Sequence, residues 1–395
     1  MSGIFKVGVV GGGVMGRGIA ALVARKGLPV VIKEMNQELA DKAKTEINRT
    51  FDDLLARGKA DKMQAANWKS CVQVSDSMDA LADADLVIEA VPENLELKKK
   101  IFKELDQVLQ PWAIIASNTS SLSISAMAEA TRRAERVAGL HFFNPVHRMS
   151  LVEIISGKQT SETTLSELAV FAQDIGKTAI QVKECPGFLV NRLLMPYLNG
   201  AAWLLTTTAL KPTEIDQEAV ANGWPMGPFQ LLDMVVGLDV AAEVAKILYQ
   251  AYGERAKPAP LTQVLVDLKR FGMKSESKAG FYGGEETVSE IIERTFPALP
   301  VAPETPAGGY ERMMMGLVNE AFLCLEEGVA SVNDIELGCR MGISFPGDGP
   351  LHWAQRRGLG NVLETLTKLH FEPSKLLRQL VAEARPVVEI SDLDI

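Results

Sequence analysis

Apolar residues fall in short unbroken blocks through the first half of the chain and in helix-spaced stripes through the second. Lys6–Val10, Pro29–Lys33, Val72–Val74, Ala84–Val91, Ala113–Ser117, Val137–Phe142, Leu151–Ile155 and Thr178–Val182 read as strands. Unbroken apolar strands are covered on both faces, the pattern of a parallel sheet rather than of a half-exposed antiparallel one. Helical stretches separate them: one follows the first block directly, and others cover Leu95–Leu109, Leu122–Ala130 and Leu165–Gly176. Residues 37–70 are rich in Lys, Glu, Asp and Ala, with apolar positions at Ile47, Leu54 and Leu55. They predict a protruding helical pair rather than a strand-to-strand crossover. Pro186-Gly187 breaks the alternation, and beyond it Phe188–Thr206 and Val235–Tyr252 carry apolar stripes, so this half is expected to be helical. Phe296–Gly309 holds four prolines and little apolar content, the composition of a linker.

A repeat crosses that linker. Arg192-x-x-Met195-x-x-x-Asn199-x-Ala201 returns 120 positions later as Arg312-x-x-Met315-x-x-x-Asn319-x-Ala321. The same offset pairs Glu214-Ile215-Asp216 with Asp334-Ile335-Glu336, Gly227 with Gly347, and Leu231 with Leu351. Matches at one offset predict a duplicated helical domain. Asn191 has Glu311 as its counterpart, so the copies differ in polar role there.

Composition narrows the function classes. A chain of 395 residues is expected to hold two or three domains. Its net charge of −9 lacks the basic excess of a nucleic-acid surface. Cys71, Cys185, Cys324 and Cys339 are too few and too scattered for a disulfide framework or a zinc site, and read as free thiols. The first strand begins too early for a signal peptide, no apolar run reaches the roughly 18 residues of a membrane span, and the final Asp-Leu-Asp-Ile is no peroxisomal address. The expected location is cytoplasmic.

Chemistry enters with the first strand, which runs into Gly11-x-Gly13-x-x-Gly16 and then an apolar helix containing Val14 and Met15. These spacings allow a tight turn, close approach of a pyrophosphate, and helix–strand packing, with the phosphates over free N–H groups. Glu34 ends the second strand, where a carboxylate accepts the ribose hydroxyls and repels a 2′-phosphate. NAD is therefore expected over NADP, although Lys33 beside it offsets some of that repulsion. Ser117-Asn118-Thr119-Ser120-Ser121 follows a strand, at the end where such sheets expose ligand-facing groups; Ser120 or Asn118 could orient a ligand, or the cluster could cap the next helix. His141 ends a strand, and Glu153 opens the next Glu-Ile-Ile run. An imidazole held by a buried carboxylate can carry the proton that alcohol–ketone interconversion moves, while the competing reading is a core histidine bonded to backbone. His147 reads as surface or rim, His352 belongs to the second repeat, and His370 lies near the tail.

Taken together, these segments resemble the L-3-hydroxyacyl-CoA dehydrogenase family, and in particular the dehydrogenase portion of the multifunctional enzymes of fatty-acid β-oxidation. The resemblance rests on Gly11 to Ala20, Ile88-Glu89-Ala90-Val91-Pro92-Glu93-Asn94-Leu95, Ser117 to Leu122, Gly139-Leu140-His141-Phe142-Phe143-Asn144-Pro145-Val146, Pro186 to Arg192, and Pro225-Met226-Gly227-Pro228-Phe229. It covers nearly the whole chain. It implies an α/β architecture: a Rossmann-like NAD-binding domain over 1–185 with a helical arm at 37–70, then two tandem, duplicated all-α domains. The first, 186–295, would bind substrate, and the second, 306–395, would be non-catalytic.

The resemblance also implies residue roles. His141 would be the acid/base and Glu153 its orienting carboxylate, while Ser120 and Asn191 would hydrogen-bond the reacting oxygen or the histidine. Asn144 would line the substrate pocket and Lys59, on the arm, would meet a CoA phosphate. Glu34 would bind the ribose, and Glu93, Lys98 and Asn118 would approach the nicotinamide half. Neutral His141 would take the hydroxyl proton of an acyl-CoA substrate as hydride passes to NAD. The chain departs from the family at Glu34, where Asp is commoner, and over Gly342–Pro350, where the family pattern is richer in apolar residues.

No stretch precedes the first strand to hold an enoyl-CoA hydratase part, so dehydrogenase activity alone is expected. Short members of the family pair their helical domains across a dimer; a duplicated domain could fill that surface, making a monomer the expectation and a homodimer the alternative. Two other functions stay open: a dehydrogenase of a small non-CoA 3-hydroxy acid, and a non-catalytic NAD-binding regulatory protein.

Overall fold

The computed structural model describes residues 3–273, 275–297 and 303–388, and divides the chain into two compact units that meet between Phe188 and Leu189. Residues 298–302 of the expected linker and 389–395 of the expected last domain lie outside the described residues.

The first unit is built on one eight-stranded sheet in the order β3-β2-β1-β4-β5-β6-β7-β8. Its strands are β1 (Val7–Val10), β2 (Val30–Lys33), β3 (Val72–Ser75), β4 (Leu86–Glu89), β5 (Ile114–Ser117), β6 (Val137–Phe142), β7 (Leu151–Ser156) and β8 (Thr178–Lys183). Every residue of β1, β4, β5 and β6 is buried, as their unbroken apolar character requires. Each fully buried Val, Ile or Leu side chain contributes roughly 1.5–3 kcal/mol.

The helices are α1 (Val14–Arg25), α2 (Gln37–Ala56), α3 (Lys62–Cys71), α4 (Leu95–Val108), α5 (Ile124–Ala128) and α6 (Glu162–Asp174). Asn36 caps α2, Asn94 caps α4 and Ser123 caps α5, each by accepting from a first-turn N–H. The cap of the helix after β5 is thus Ser123, and the Ser117–Ser121 cluster is left for other contacts.

Two sequence expectations are corrected here. β2 pairs in parallel with β3, so α2 and α3 are themselves the crossover between two strands. Nor does the whole pair protrude, because Ile47 and Phe51 join the core beneath α1, while the turn at Arg57–Lys59 is exposed. A stripe at i, i+4 spacing within a charged segment is enough to dock it.

At the other edge of the sheet the chain reverses. β7 runs antiparallel to β6, with Gly139 opposite Ile155 and His141 opposite Glu153, and β8 then runs parallel to β7. The carboxyl ends of β1, β2, β4 and β5 are level, with Val10 beside Lys33 and Glu89, and Glu89 beside Ser117. The strand order reverses between β1 and β4, which opens the crevice where such sheets bind ligands.

The second unit is helical: α7 (Val190–Thr207), α8 (Pro212–Ala221), α9 (Pro228–Leu231), α10 (Leu238–Tyr252), α11 (Pro260–Asp267), α12 (Val288–Thr295), α13 (Pro306–Glu326), α14 (Val332–Gly342), α15 (Pro350–Arg357), α16 (Leu359–Lys368) and α17 (Lys375–Ala382). A π-helical turn at Leu232–Val236 precedes α10. The repeat is visible in its hydrogen bonds. Asn199 donates to Lys257 O and accepts from Ala259 N, and Asn319 does the same with Glu372 O and Ser374 N. Asp216 accepts from Phe229 N and Gln230 N, and Glu336 from Leu351 N and His352 N.

The second pair of bonds corrects part of the repeat alignment. Gly227 lies against Asp216, and the glycine lying against Glu336 is Gly349, not Gly347. Phe229 therefore corresponds to Leu351, replacing the pairing of Leu231 with Leu351. The second copy holds two extra residues between acid and glycine, which a constant offset misses.

α7 and α13 cross antiparallel, with Gly200 against Met313 and Gly316 against Pro196. Pro196 and Gly316 are repeat equivalents, so they mark a pseudo-twofold axis between the copies.

Candidate active site

The glycine turn has the shape a dinucleotide needs. Gly11 has φ +98°, a conformation that favours glycine. A Cβ on Gly16 would lie 1.8 Å from Gly11 O, so the helix can pass this close to the turn only at glycine. A Cβ on Gly13 would meet nothing within 4 Å, which leaves its outer side open to a ligand. Gly13 starts α1 without a side-chain cap, and Val14 after it is exposed. Free N–H groups thus face the open side, as a pyrophosphate requires. Arg17 Nη1 donates to Gly12 O at 2.8 Å and braces the turn from the helix. Glu34 Oε1 accepts from Gly12 N at 2.5 Å and Oε2 from Met35 N at 3.0 Å, which places the carboxylate beside the turn. These residues fit NAD, with Glu34 available to ribose hydroxyls, and the chain carries an NAD-binding domain.

At the end of β6, His141 Nδ1 lies 2.6 Å from Glu153 Oε2. Glu153 is fully buried, whereas His141 keeps 7% exposure, so the imidazole is the member of the pair that a ligand can reach. With Nδ1 committed to the carboxylate, Nε2 is left for proton exchange. The ring packs at 4.6 Å from Phe143 and 6.0 Å from Phe188. Asn118 Oδ1 accepts from Phe142 N, tying the loop after β5 to the residue beside His141.

A chain of alternating charge lies at the ends of β4 and β5. Glu89, fully buried, accepts from Lys98 Nζ at 2.7 Å, Ser117 Oγ at 2.6 Å and Val91 N at 2.7 Å. Lys98, itself 1% exposed, also lies 3.3 Å from Glu93 Oε2. Glu93 Oε1 accepts from Thr119 Oγ1 at 2.5 Å and from Ser120 N at 3.1 Å, with Ser120 Oγ at 3.4 Å. Burial raises the Glu93 carboxyl, but Lys98 and the bonds from Thr119 and Ser120 outweigh it and hold the group below the ordinary carboxylate value. Ser120 is thereby oriented by a carboxylate that Lys98 keeps ionised. Lys98 is buried between two carboxylates, Glu89 and Glu93, and its ammonium is engaged by both.

The expected residues thus fall into groups. His141 meets Glu153, and Ser120 meets Glu93 and Lys98. Asn144 is exposed on the β6–β7 connection, Lys59 is exposed at the turn between α2 and α3, and Asn191 is half-buried as the second residue of α7 in the second unit. Sequence reasoning missed Glu89, Thr119 and Arg17 as members of the site. An acid closing an otherwise apolar strand was the available signal for Glu89. It also missed Lys177, whose Nζ donates to Val146 O and Met149 O. Burial and the nearby Arg25 push this ammonium down to about 8.

The second unit has an open cavity of about 740 Å³ lined by Asp216, Asp233, Met234, Met273 and Tyr282. Its carboxylates are engaged by the protein itself. Tyr282 OH and two backbone N–H groups serve Asp216, and Phe281 N and Tyr282 N serve Asp233. This is the chemistry of loop closure rather than of catalysis. Among the described residues no group of three His, Cys, Asp or Glu could hold a metal ion, and no helix is long and apolar enough to cross a membrane.

The chain is similar to known proteins along nearly its whole length. Residues 6–185 match the 3-hydroxyacyl-CoA dehydrogenase NAD binding domain, and residues 187–283 and 310–387 match the 3-hydroxyacyl-CoA dehydrogenase C-terminal domain. The fatty acid oxidation complex subunit alpha of Psychrobacter arcticus is 35% identical over 383 residues, which is 92% of this chain and 52% of that protein. The chain spans about half the length of the curated relatives it matches. Among solved structures, 3-hydroxybutyryl-CoA dehydrogenase from Escherichia coli superposes with a TM-score of 0.87 at 28% identity, covering 96% of this chain and 98% of that one. (S)-3-hydroxybutyryl-CoA dehydrogenase from Ralstonia eutropha gives 0.68 at 39% identity, over 72% of this chain and 100% of that one.

Proposed function

The chain belongs to the 3-hydroxyacyl-CoA dehydrogenase family, and on that premise we propose that it oxidises the 3-hydroxyl of an L-3-hydroxyacyl-CoA to the ketone with NAD, as in fatty-acid β-oxidation. The observation that carries this reading is the His141–Glu153 pair at the carboxyl edge of an NAD-binding sheet. NAD supplies the hydride acceptor when bound. Nε2 of His141 takes the hydroxyl proton, and Glu153 stabilises the imidazolium so formed. Ser120, held by Glu93, and Asn191 hydrogen-bond the reacting oxygen, Asn144 lines the substrate pocket, and Lys59 meets a CoA phosphate.

The decisive assay is NADH-dependent reduction of acetoacetyl-CoA, run beside free acetoacetate and a sugar-derived keto acid. Acetoacetyl-CoA is the first substrate to try because the solved relatives above are 3-hydroxybutyryl-CoA dehydrogenases by name. Turnover of the thioester alone supports the proposal. Preference for a free acid transfers the chain to the non-CoA reading, and NADH binding without any turnover to the regulatory one. Longer acyl-CoAs and NADPH in the same assay define chain length and cofactor choice.

We read the protein as a monomer, the second helical copy occupying the face that short family members use to dimerise. Its location is read as cytoplasmic, which suits cysteines that form no disulfide among the described residues.

A further inference from the structure

We propose that Lys177 is a positioning residue for this reaction: from inside the fold it holds the β6–β7 connection, and with it the placement of His141 against Glu153. The inference rests on His141 being the proton carrier proposed above.

Lys177 immediately precedes β8 and is buried, at 8% exposure. Its ammonium donates to the carbonyls of both Val146 and Met149, in the segment that joins His141's strand to Glu153's. Burial, and the positive charge of Arg25 on α1, bear on Lys177 directly, and burial together with Arg148, Arg25, Lys177 and Lys59 depresses His147 on the same connection. A buried ammonium beside the positive charge of Arg25 is an expensive way to fill space, and a Met or Leu would pack there at lower cost. What Lys177 adds is a pair of charge-assisted donors for two carbonyls that turn inward.

The connection is held on its other sides too. Val146 packs on Gly18 of α1, where a Cβ would lie 2.9 Å from Val146 Cγ2. Thr178 N, next in sequence to Lys177, donates to Ser150 O at 2.8 Å and so starts the pairing of β8 with β7. Phe143, at the connection's first residue, lies against the His141 ring. Displacing the Val146–Met149 turn therefore moves both Phe143 and the start of β7, the two ends that set His141 and Glu153. Glu153 must place Oε2 within hydrogen-bond reach of Nδ1, and a shift of about 1 Å can cost on the order of 10²-fold in rate.

The test uses the full chain and three variants. In K177M we expect kcat for acetoacetyl-CoA reduction to fall at least tenfold while NADH affinity, read by fluorescence titration, stays within twofold, because the glycine turn is untouched. K177R, which keeps a charged donor, should recover most of the kcat. Gly18→Ala presses on Val146 from the opposite side, within a helix that tolerates alanine, and should reproduce the kcat loss even where K177M fails to fold. Wild-type kcat in both K177M and Gly18→Ala overturns the proposal. So does a loss of kcat matched by an equal loss of NADH affinity with no recovery in K177R. Retained turnover in His141→Ala would instead overturn the proton-carrier reading, whatever Lys177 does.

Discussion

Glu153 stands directly opposite His141 in the antiparallel pairing of β6 and β7, and its Oε2 lies 2.6 Å from the imidazole Nδ1. Both side chains are carried by paired strands in the interior of the sheet, with β5 beyond β6 and β8 beyond β7. A proton-transfer pair built on a ladder is held more tightly than one built on loops.

Replacing His141 by Ala is expected to lower kcat for acetoacetyl-CoA reduction by about 10²–10⁴-fold with NADH binding preserved. Glu153→Gln keeps the shape but removes the charge that stabilises the imidazolium, and should lower kcat by roughly 10²-fold or more. Steady-state kinetics paired with NADH titration separates the two effects. Full activity in either variant contradicts the assigned role.

Glu34 governs the choice of cofactor in the second prediction. Its carboxylate already accepts from Gly12 N, so Glu34→Ala removes both the ribose acceptor and a brace of the glycine turn. Hydrogen bonds to charged groups contribute about 1.5–3 kcal/mol, which corresponds to roughly 10–100-fold in NADH affinity. Discrimination against NADPH should shrink as well, because the repelling charge is gone. An unaltered NADH to NADPH ratio would place the adenosine ribose elsewhere.

In the second copy Glu336 is buried beside His352, and burial pushes its carboxyl up to about 7. An unfolded Glu titrates at about 4.3, so between these values the folded chain binds more protons than the unfolded one. The contribution of Glu336 to stability should therefore be fully present below about pH 4.3 and fall as pH rises to about 7. Urea unfolding of wild type and Glu336→Gln at pH 5 and pH 8 reads this directly. The wild type should lose more stability than the variant between the two, and parallel losses would refute it.

The fourth prediction concerns the pairing of the copies. Arg192, 1% exposed, binds Glu320 at 2.6 Å and Glu327 at 2.7 Å, and the guanidinium groups of Arg192 and Arg255 lie 4.4 Å and 4.5 Å from the centre of the Tyr252 ring. The repeat equivalent of Glu320 is Gly200, so a first copy facing another first copy could not make these bonds. Arg192→Met should cost about 3–5 kcal/mol by stranding buried charge, and adding Glu320→Leu should restore part of that loss. Wild type should sediment near 42.9 kDa. A tight dimer would end the monomer reading.

Much of this was legible along the chain. The apolar blocks place the strands to within a residue or two, as at Val137–Phe142, and the glycine turn, its acid and the repeat are all local or constant-offset patterns. His141 and Glu153 were both visible as chemistry-bearing residues at strand ends. Their partnership was expected from the sequence and its family resemblance, but not its geometry, because the reversal of β7 depends on how the connection from Phe143 to Ser150 is held, partly by Lys177 and Gly18 from distant segments. The pairing of Glu89 with Lys98 was hidden for the same reason. One closes an apolar strand and the other sits in a lysine-rich helix, and only burial makes them partners.

What the sequence determined by itself is thus the set of elements and the cofactor-binding turn, since hydrophobic period and backbone permissiveness are properties of neighbouring residues. The tertiary structure decided the strand direction near the sheet's edge, the role of α2 and α3 as a crossover, the two-residue slip between the repeats, and the register that sets His141 opposite Glu153. Each of these depends on which surfaces are buried together, and that free energy is shared among residues far apart in the chain.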